Sequence, residues 1–145
     1  MKESYDIVIV GGGMVGASLA LALAPLPWRI AVVEAFAPSS ESQPSYDDRA
    51  TALAEGSRRI FDTLGIWPAL APSAAPIRRI HVSDRGRFGF ARLAAVDYGV
   101  DALGHVVENR RLGTILWDAL AGCPRVDLLA PCRVVAVDAE AEPAS

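Results

Sequence analysis

The feature that constrains this chain most is an uncharged stretch, Ile7 to Trp28, broken by a cluster of glycines. Before the cluster, Ile7-Val8-Ile9-Val10 is wholly β-branched, which suits a parallel strand covered on both faces. After it, residues 17–24 are alanine, leucine and serine, with small side chains at 17, 20 and 24, which suits a buried helix. By length alone the stretch could span a membrane or, following Lys2, serve as a signal peptide. Glu3 and Asp6 place acid where a signal peptide needs positive charge, Gly11-Gly12-Gly13 interrupts the run, and Pro25 and Pro27 end it. The stretch therefore reads as a strand, a turn and a helix. A second strand, residues 29–34, closes on Glu34.

The turn carries a specific spacing. Gly11-Gly12-Gly13-Met14-Val15-Gly16 fits Gly-x-Gly-x-x-Gly. In that pattern Gly11 permits the tight turn, Gly13 lets backbone approach a pyrophosphate, and Gly16 lets the helix pack close to the strand. The helix start offers unpaired N–H groups and a partial positive charge to phosphates. Glu34 follows Gly16 by 18 residues, at the tip of the second strand. From there a carboxylate can accept from both hydroxyls of an adenosine ribose. A 2′-phosphate would want arginine, so the site favours FAD or NAD over NADP. The glycines alone are a weak signal; the strand before, the helix after and the spaced acid support dinucleotide binding.

Composition excludes several other classes. With 52% hydrophobic and 21% charged residues, the chain is globular rather than disordered, although alanine inflates the apolar share. A net charge of -3 gives no general attraction to nucleic acid, so no nucleic-acid partner is expected. Cys123 and Cys132 are the only cysteines and have no histidine partners at ligand spacing, so no metal site is expected. They can pair as a disulfide or stay as free thiols, and a reducing cytosol favours the second.

The rest of the chain alternates less regularly. Residues 35–46 are rich in proline and serine and read as a loop. A helix is expected over about residues 50–64, with Leu53, Ile60, Phe61 and Leu64 on one face, Asp47 or Asp48 as cap and Gly65 as stop. Arg49 would stand at its entrance, either facing phosphate or solvated beside the two aspartates. Residues 77–83 and 88–93 flank Asp84-Arg85-Gly86-Arg87 and read as a β-hairpin. His81 and His105 lack partner motifs and read as packed or surface histidines. Residues 104–107 suggest a strand, and 109–121 a helix striped by Leu112, Ile115, Leu116, Ala119 and Leu120. Two short strands are expected at 126–129 and 134–137, then a polar tail.

Together with the glycine turn, three stretches carry a family resemblance. They are Tyr46-Asp47-Asp48-Arg49-Ala50-Thr51-Ala52-Leu53, His81-Val82-Ser83-Asp84-Arg85-Gly86 and Leu103-Gly104-His105-Val106-Val107-Glu108-Asn109. With them the chain resembles the ubiquinone-biosynthesis hydroxylases, above all the branch acting on 2-polyprenyl-6-methoxyphenols. These are FAD-dependent aromatic monooxygenases related to para-hydroxybenzoate hydroxylase. The resemblance implies an α/β fold: a Rossmann-like FAD-binding βαβ unit with an added β-hairpin and helix, incomplete relative to the family fold. It implies FAD-binding segments at residues 1–76 and 96–139, a substrate-region hairpin at 77–95 and a tail at 140–145. Gly11, Gly13, Met14, Val15 and Gly16 would line the FAD pyrophosphate, and Glu34 would hold the adenosine ribose. Arg49 would lie near the cofactor phosphates at the start of the second helix. Asn109 would face the ribityl chain, and the backbone at Val134 would meet the adenine.

The resemblance also implies NAD(P)H as reductant, molecular oxygen as co-substrate and a polyprenyl phenol as substrate. The cofactor carries the chemistry in such enzymes, so no catalytic side chain is named. Family members carry two later cofactor motifs, an Asp-Gly and a Gly-Asp segment, which do not occur before Ser145. The expectation is therefore an N-terminal fragment that binds FAD weakly or not at all, is inactive as a hydroxylase by itself and is prone to self-association through uncovered strand edges. A cytoplasmic place is expected, peripheral to the inner membrane or in a biosynthetic complex. Two alternatives stand beside this reading: an NAD-binding Rossmann domain of a dehydrogenase, and a non-catalytic interaction fragment.

Overall fold

A computed structural model describes residues 4–36, 49–86 and 88–138. The strands are β1 (Ile7–Val10), β2 (Ile30–Val33), β3 (Ala50–Ala54), β4 (Ala75–Ile77), β5 (Arg79–Ser83), β6 (Phe90–Ala94), β7 (Gly104–Glu108) and β8 (Val126–Leu129). The α-helices are α1 (Met14–Leu23), α2 (Glu55–Thr63), α3 (Trp67–Leu70) and α4 (Asn109–Ala121). Asp47 and Asp48, the expected caps, Arg87 of the hairpin turn and the polar tail lie outside the described residues.

β1, α1 and β2 form the expected start of a parallel sheet. Ile7 pairs with Ile30 and Val10 with Val33. β8 joins in parallel on the other side of β2, so the strand order is β1-β2-β8. β2 is therefore the central strand, and all four of its residues are buried. β1 differs from the sequence expectation: Val8 and Val10 are 55% and 63% exposed, while Ile9 is buried. A parallel strand is buried on both faces only when both faces are covered, and among the described residues one face of β1 is not.

α1 turns Ala17, Ala20 and Leu21 inward. Two alanines let the helix lie close to the sheet, and Pro25, which has no N–H to donate, stops it. α4 turns Leu112, Ile115, Leu116 and Leu120 inward, as its stripe predicts. The two helices pack on each other, and with Ile30, Val32, Leu70 and Val107 they form one continuous core. Fully burying one such leucine or isoleucine stabilises the fold by about 1.5–3 kcal/mol.

The helix expected over residues 50–64 begins five residues late. Ala50–Ala54 is strand β3, paired antiparallel with β7 so that Leu53 faces His105 and Ala54 faces Gly104. β4 lies on the other side of β7, giving the order β3-β7-β4. Alanine prefers a helix, but that preference is only some tenths of a kcal/mol per residue, roughly. Five paired residues along β7 outweigh it. A glycine is required at position 104, because a Cβ there would overlap the Leu53 carbonyl oxygen. α2 then starts at Glu55, with Ala54 as its N-cap, and ends before Gly65 at φ +76°. β5 and β6 form a separate antiparallel pair, with Ser83 opposite Phe90 and Gly86 in the turn at φ +82°.

Residues 134–137 do not form the expected strand. After β8 the chain meets Pro131, which cannot donate to a ladder, and the Cys132 N–H then donates to the Glu34 carbonyl (2.7 Å). Val135 and Val137 are 93% and 80% exposed, so alternation without a partner strand does not make a sheet. No helix among the described residues is long and apolar enough to cross a membrane.

Glu55 anchors the first turn of α2. Burial pushes its carboxyl up, but hydrogen bonds and charges from Arg58 and Arg59 outweigh this and hold it below its ordinary value. The Arg58 contact is 2.8 Å. A depressed carboxyl stabilises the fold above its unfolded-state value and loses that effect as pH falls through the folded one. Glu55→Gln should therefore lower stability at pH 7 by about 0.5 kcal/mol, a small figure because water screens the pair. The wild-type advantage should shrink as pH falls below the ordinary carboxyl range, as measured by thermal unfolding at neutral and acid pH.

Candidate cofactor-binding site

The turn after β1 is built so that α1 can enter directly beneath it. Gly11 takes φ +102°, which only glycine adopts without strain, and its N–H donates to Val33 O (2.8 Å). Gly13 is extended and opens α1. A Cβ on Gly16 would overlap the Gly11 carbonyl oxygen and come within 3.2 Å of Ile9 Cγ2. The turn and the first helical turn therefore nest only if residue 16 is glycine.

The start of α1 is chemically open. No side chain caps it, and its first turn holds no acid. Val15 is 85% exposed. The leading N–H groups and the positive end of the helix dipole thus have no acid within the helix's own first turn to neutralise them.

Glu34 sits beside this turn, 7% exposed. Its Oε2 accepts from Gly12 N–H (2.7 Å) and its Oε1 from Phe36 N–H (3.0 Å). A carboxylate offers about four lone-pair sites, so roughly two remain for further donors, the number that a ribose diol supplies. The Glu34 backbone is held in turn by β8 and the segment after it: its N–H donates to Leu129 O (3.0 Å), and its carbonyl accepts from Cys132.

A second group lies where β3 meets α4. Asn109, the first residue of α4 and 7% exposed, donates its N–H to Arg49 O (2.9 Å). Its Oδ1 accepts from Thr51 Oγ1 (2.6 Å). Arg49 precedes a strand, not the helix that the sequence suggests, because β3 intervenes before α2. A mainly apolar cleft of about 360 Å3 is lined by Met14 and Val15 from the start of α1 and by Thr51 and Leu53 from β3.

Gly11, Gly13, Met14, Val15, Gly16 and Glu34 therefore lie in or beside one turn, and Arg49 and Asn109 are paired separately through the backbone where β3 and α4 begin. Val134 does not join them as part of a strand, although Cys132 tethers its segment at Glu34. Two contributors escape sequence reasoning. Thr51 sits in an alanine-rich run, and only the β3–β7 register brings it to Asn109. Trp117 donates its indole N–H to Gly12 O (2.8 Å) across 105 positions of sequence. His105 stacks edge-on to Trp67, and His81 is exposed beside Arg92. Cys123 and Cys132 are free thiols, and no group of metal-binding side chains occurs among the described residues.

The family model described as FAD dependent oxidoreductase matches residues 6–46. The chain is 36% identical over 132 residues to ubiquinone hydroxylase UbiL of Rhodospirillum rubrum, covering 91% of this chain and 30% of that protein. It is 35% identical over 140 residues to 3-demethoxyubiquinol 3-hydroxylase of Escherichia coli, covering 94% and 35% respectively. The crystal structure of p-nitrophenol 4-monooxygenase PnpA from Pseudomonas putida superposes with a TM-score of 0.65 at 22% identity, over 84% of this chain and 30% of that one. Fold and glycine turn define a Rossmann-like α/β domain of the dinucleotide-binding type. By sequence the chain is similar to these two hydroxylases over nearly all of its own length. It spans about a third of the length of the curated relatives it matches.

The nesting at Gly16 has a measurable cost if disturbed. Gly16→Ala should destabilise the fold by about 1–3 kcal/mol, since the added methyl must displace backbone. Thermal unfolding should fall by at least about 3 °C, with a larger loss than at the open Gly56.

Proposed function

We propose that this chain is the FAD-binding part of a flavin-dependent monooxygenase that hydroxylates the aromatic ring of a polyprenylated phenol in ubiquinone biosynthesis. The observation that carries the reading is the open α1 start beside a buried acid with spare acceptor sites. The residues fit the cofactor: the nested Gly11–Gly16 turn leaves backbone exposed where a pyrophosphate would lie, and Glu34 has lone pairs left for a diol. When bound, FAD would supply the redox chemistry, with NAD(P)H as reductant and molecular oxygen as co-substrate.

The chain's own residues bind and orient. Gly13, Met14 and Val15 present backbone N–H groups to the two phosphates, and Gly11 and Gly16 hold that turn in place. Glu34 accepts from the adenosine ribose. Asn109 is fixed by Thr51 and turned toward the cofactor's ribityl side, and Arg49 supplies positive charge nearby. The segment through Val134, tethered by Cys132, supplies backbone beside the adenine. Met14, Leu53 and Phe61 give the cleft an apolar lining.

The substrate's prenyl tail favours a working position at a membrane surface or within a biosynthetic complex. Val8 and Val10 on the edge strand favour contact with further polypeptide, a second copy included.

FAD titration followed by flavin fluorescence and calorimetry should show binding, and Glu34→Ala should weaken it about tenfold, the loss of roughly one charge-assisted hydrogen bond. Binding of NAD with no response to FAD would reverse the assignment in favour of a dehydrogenase domain.

A further inference from the structure

We propose that Trp117 is the positioning residue of the phosphate-binding turn: its indole N–H fixes the Gly12 carbonyl and thereby aims the Gly13 N–H at the cofactor's pyrophosphate. The ligand named here rests on the FAD reading above; the positioning of the turn does not.

The geometry has three parts. Trp117 is 7% exposed, and its single hydrogen-bond donor is spent on Gly12 O at 2.8 Å rather than on solvent. On the other side of the same residue, Gly12 N–H donates to Glu34 Oε2 at 2.7 Å. Both backbone groups of Gly12 are thus held by side chains, one from the helix α4 and one from the tip of β2. A Cβ on Gly12 would come within 2.5 Å of Trp117 Cζ2 and 3.2 Å of Glu34 Cβ, so indole, turn and acid are in direct contact with no space for water between them.

The consequence follows from peptide planarity. In a trans peptide the carbonyl and the next N–H point in opposite directions. The Gly12–Gly13 peptide is trans. Holding Gly12 O on the indole therefore turns the Gly13 N–H away from α4, out of the protein side of the turn. Gly13 is the uncapped residue that opens α1, so this N–H joins the others at the helix start. Trp117 also sets the distance between the turn and Glu34, because both press on the same glycine.

A core tryptophan with no such role would be replaceable by any ring of similar bulk. Trp117→Phe keeps an aromatic side chain and removes the donor. The 145-residue chain carrying Trp117→Phe is compared with wild type and with Leu116→Val, a packing change in the neighbouring fully buried core position. FAD affinity is measured by titration, and backbone amide exchange of residues 11–14 is measured without cofactor. The expected result for Trp117→Phe is FAD affinity weakened about five- to tenfold and faster exchange in residues 11–14, with neither change in Leu116→Val. Values within twofold of wild type for both readouts overturn the proposal. Equal effects in Leu116→Val also overturn it, since they would reduce Trp117 to packing. Should wild type bind no FAD, the cofactor reading fails, and the exchange of residues 11–14 alone decides the positioning role. Should Trp117→Phe not fold, β-(3-benzothienyl)alanine at position 117, which keeps the bicyclic shape without the N–H, takes its place, and the same affinity and exchange values support or overturn the proposal.

Discussion

The site depends on how closely α1 approaches the turn that ends β1. With no side chain at position 16, the Gly11 carbonyl can rest against the helix, and the helix axis can point into the turn. That approach concentrates the unpaired N–H groups of α1 at one place. An anion there meets several donors and the positive end of a dipole at once, which is worth more than any one side-chain contact. The same closeness leaves no tolerance: a single methyl forces the backbone apart.

Two sheets of different kind are joined around this turn. The parallel sheet places β2 at the centre and delivers Glu34 at its tip. The antiparallel sheet delivers Thr51 on β3, with Arg49 just before the strand, and leads through β7 into Asn109. α4 links them. Its first residue belongs to the antiparallel side, and two turns later Trp117 reaches the glycine turn of the parallel side. A rigid helix thereby holds the two halves of the cleft at a set separation.

Some of this was legible in the chain itself. The glycine spacing, the β-branched run before it and the acid after the second strand identify β1, α1 and β2 and their order. The leucine and isoleucine stripe of α4 gives that helix to the residue. These are local signals: hydrophobic period, turn residues and small side chains act within a few positions of one another. The residues 50–54 show the limit. Their alanine content favours a helix, and only pairing with a strand at least about fifty positions away makes them β3. Val134 shows the converse, since alternating valines without a partner strand stay unpaired.

By itself the sequence determined that a dinucleotide-type turn exists, because each glycine's lack of a side chain is a property of that residue alone. The resemblance in its motifs also pointed to the ubiquinone-hydroxylase relatives. Only tertiary structure decided which groups brace the turn. Trp117 on Gly12, Thr51 on Asn109 and Cys132 on Glu34 join residues from distant segments through single hydrogen bonds. Such contacts leave no periodicity to read, since they require neither spacing nor composition, only that two polar groups arrive at the same point and satisfy each other.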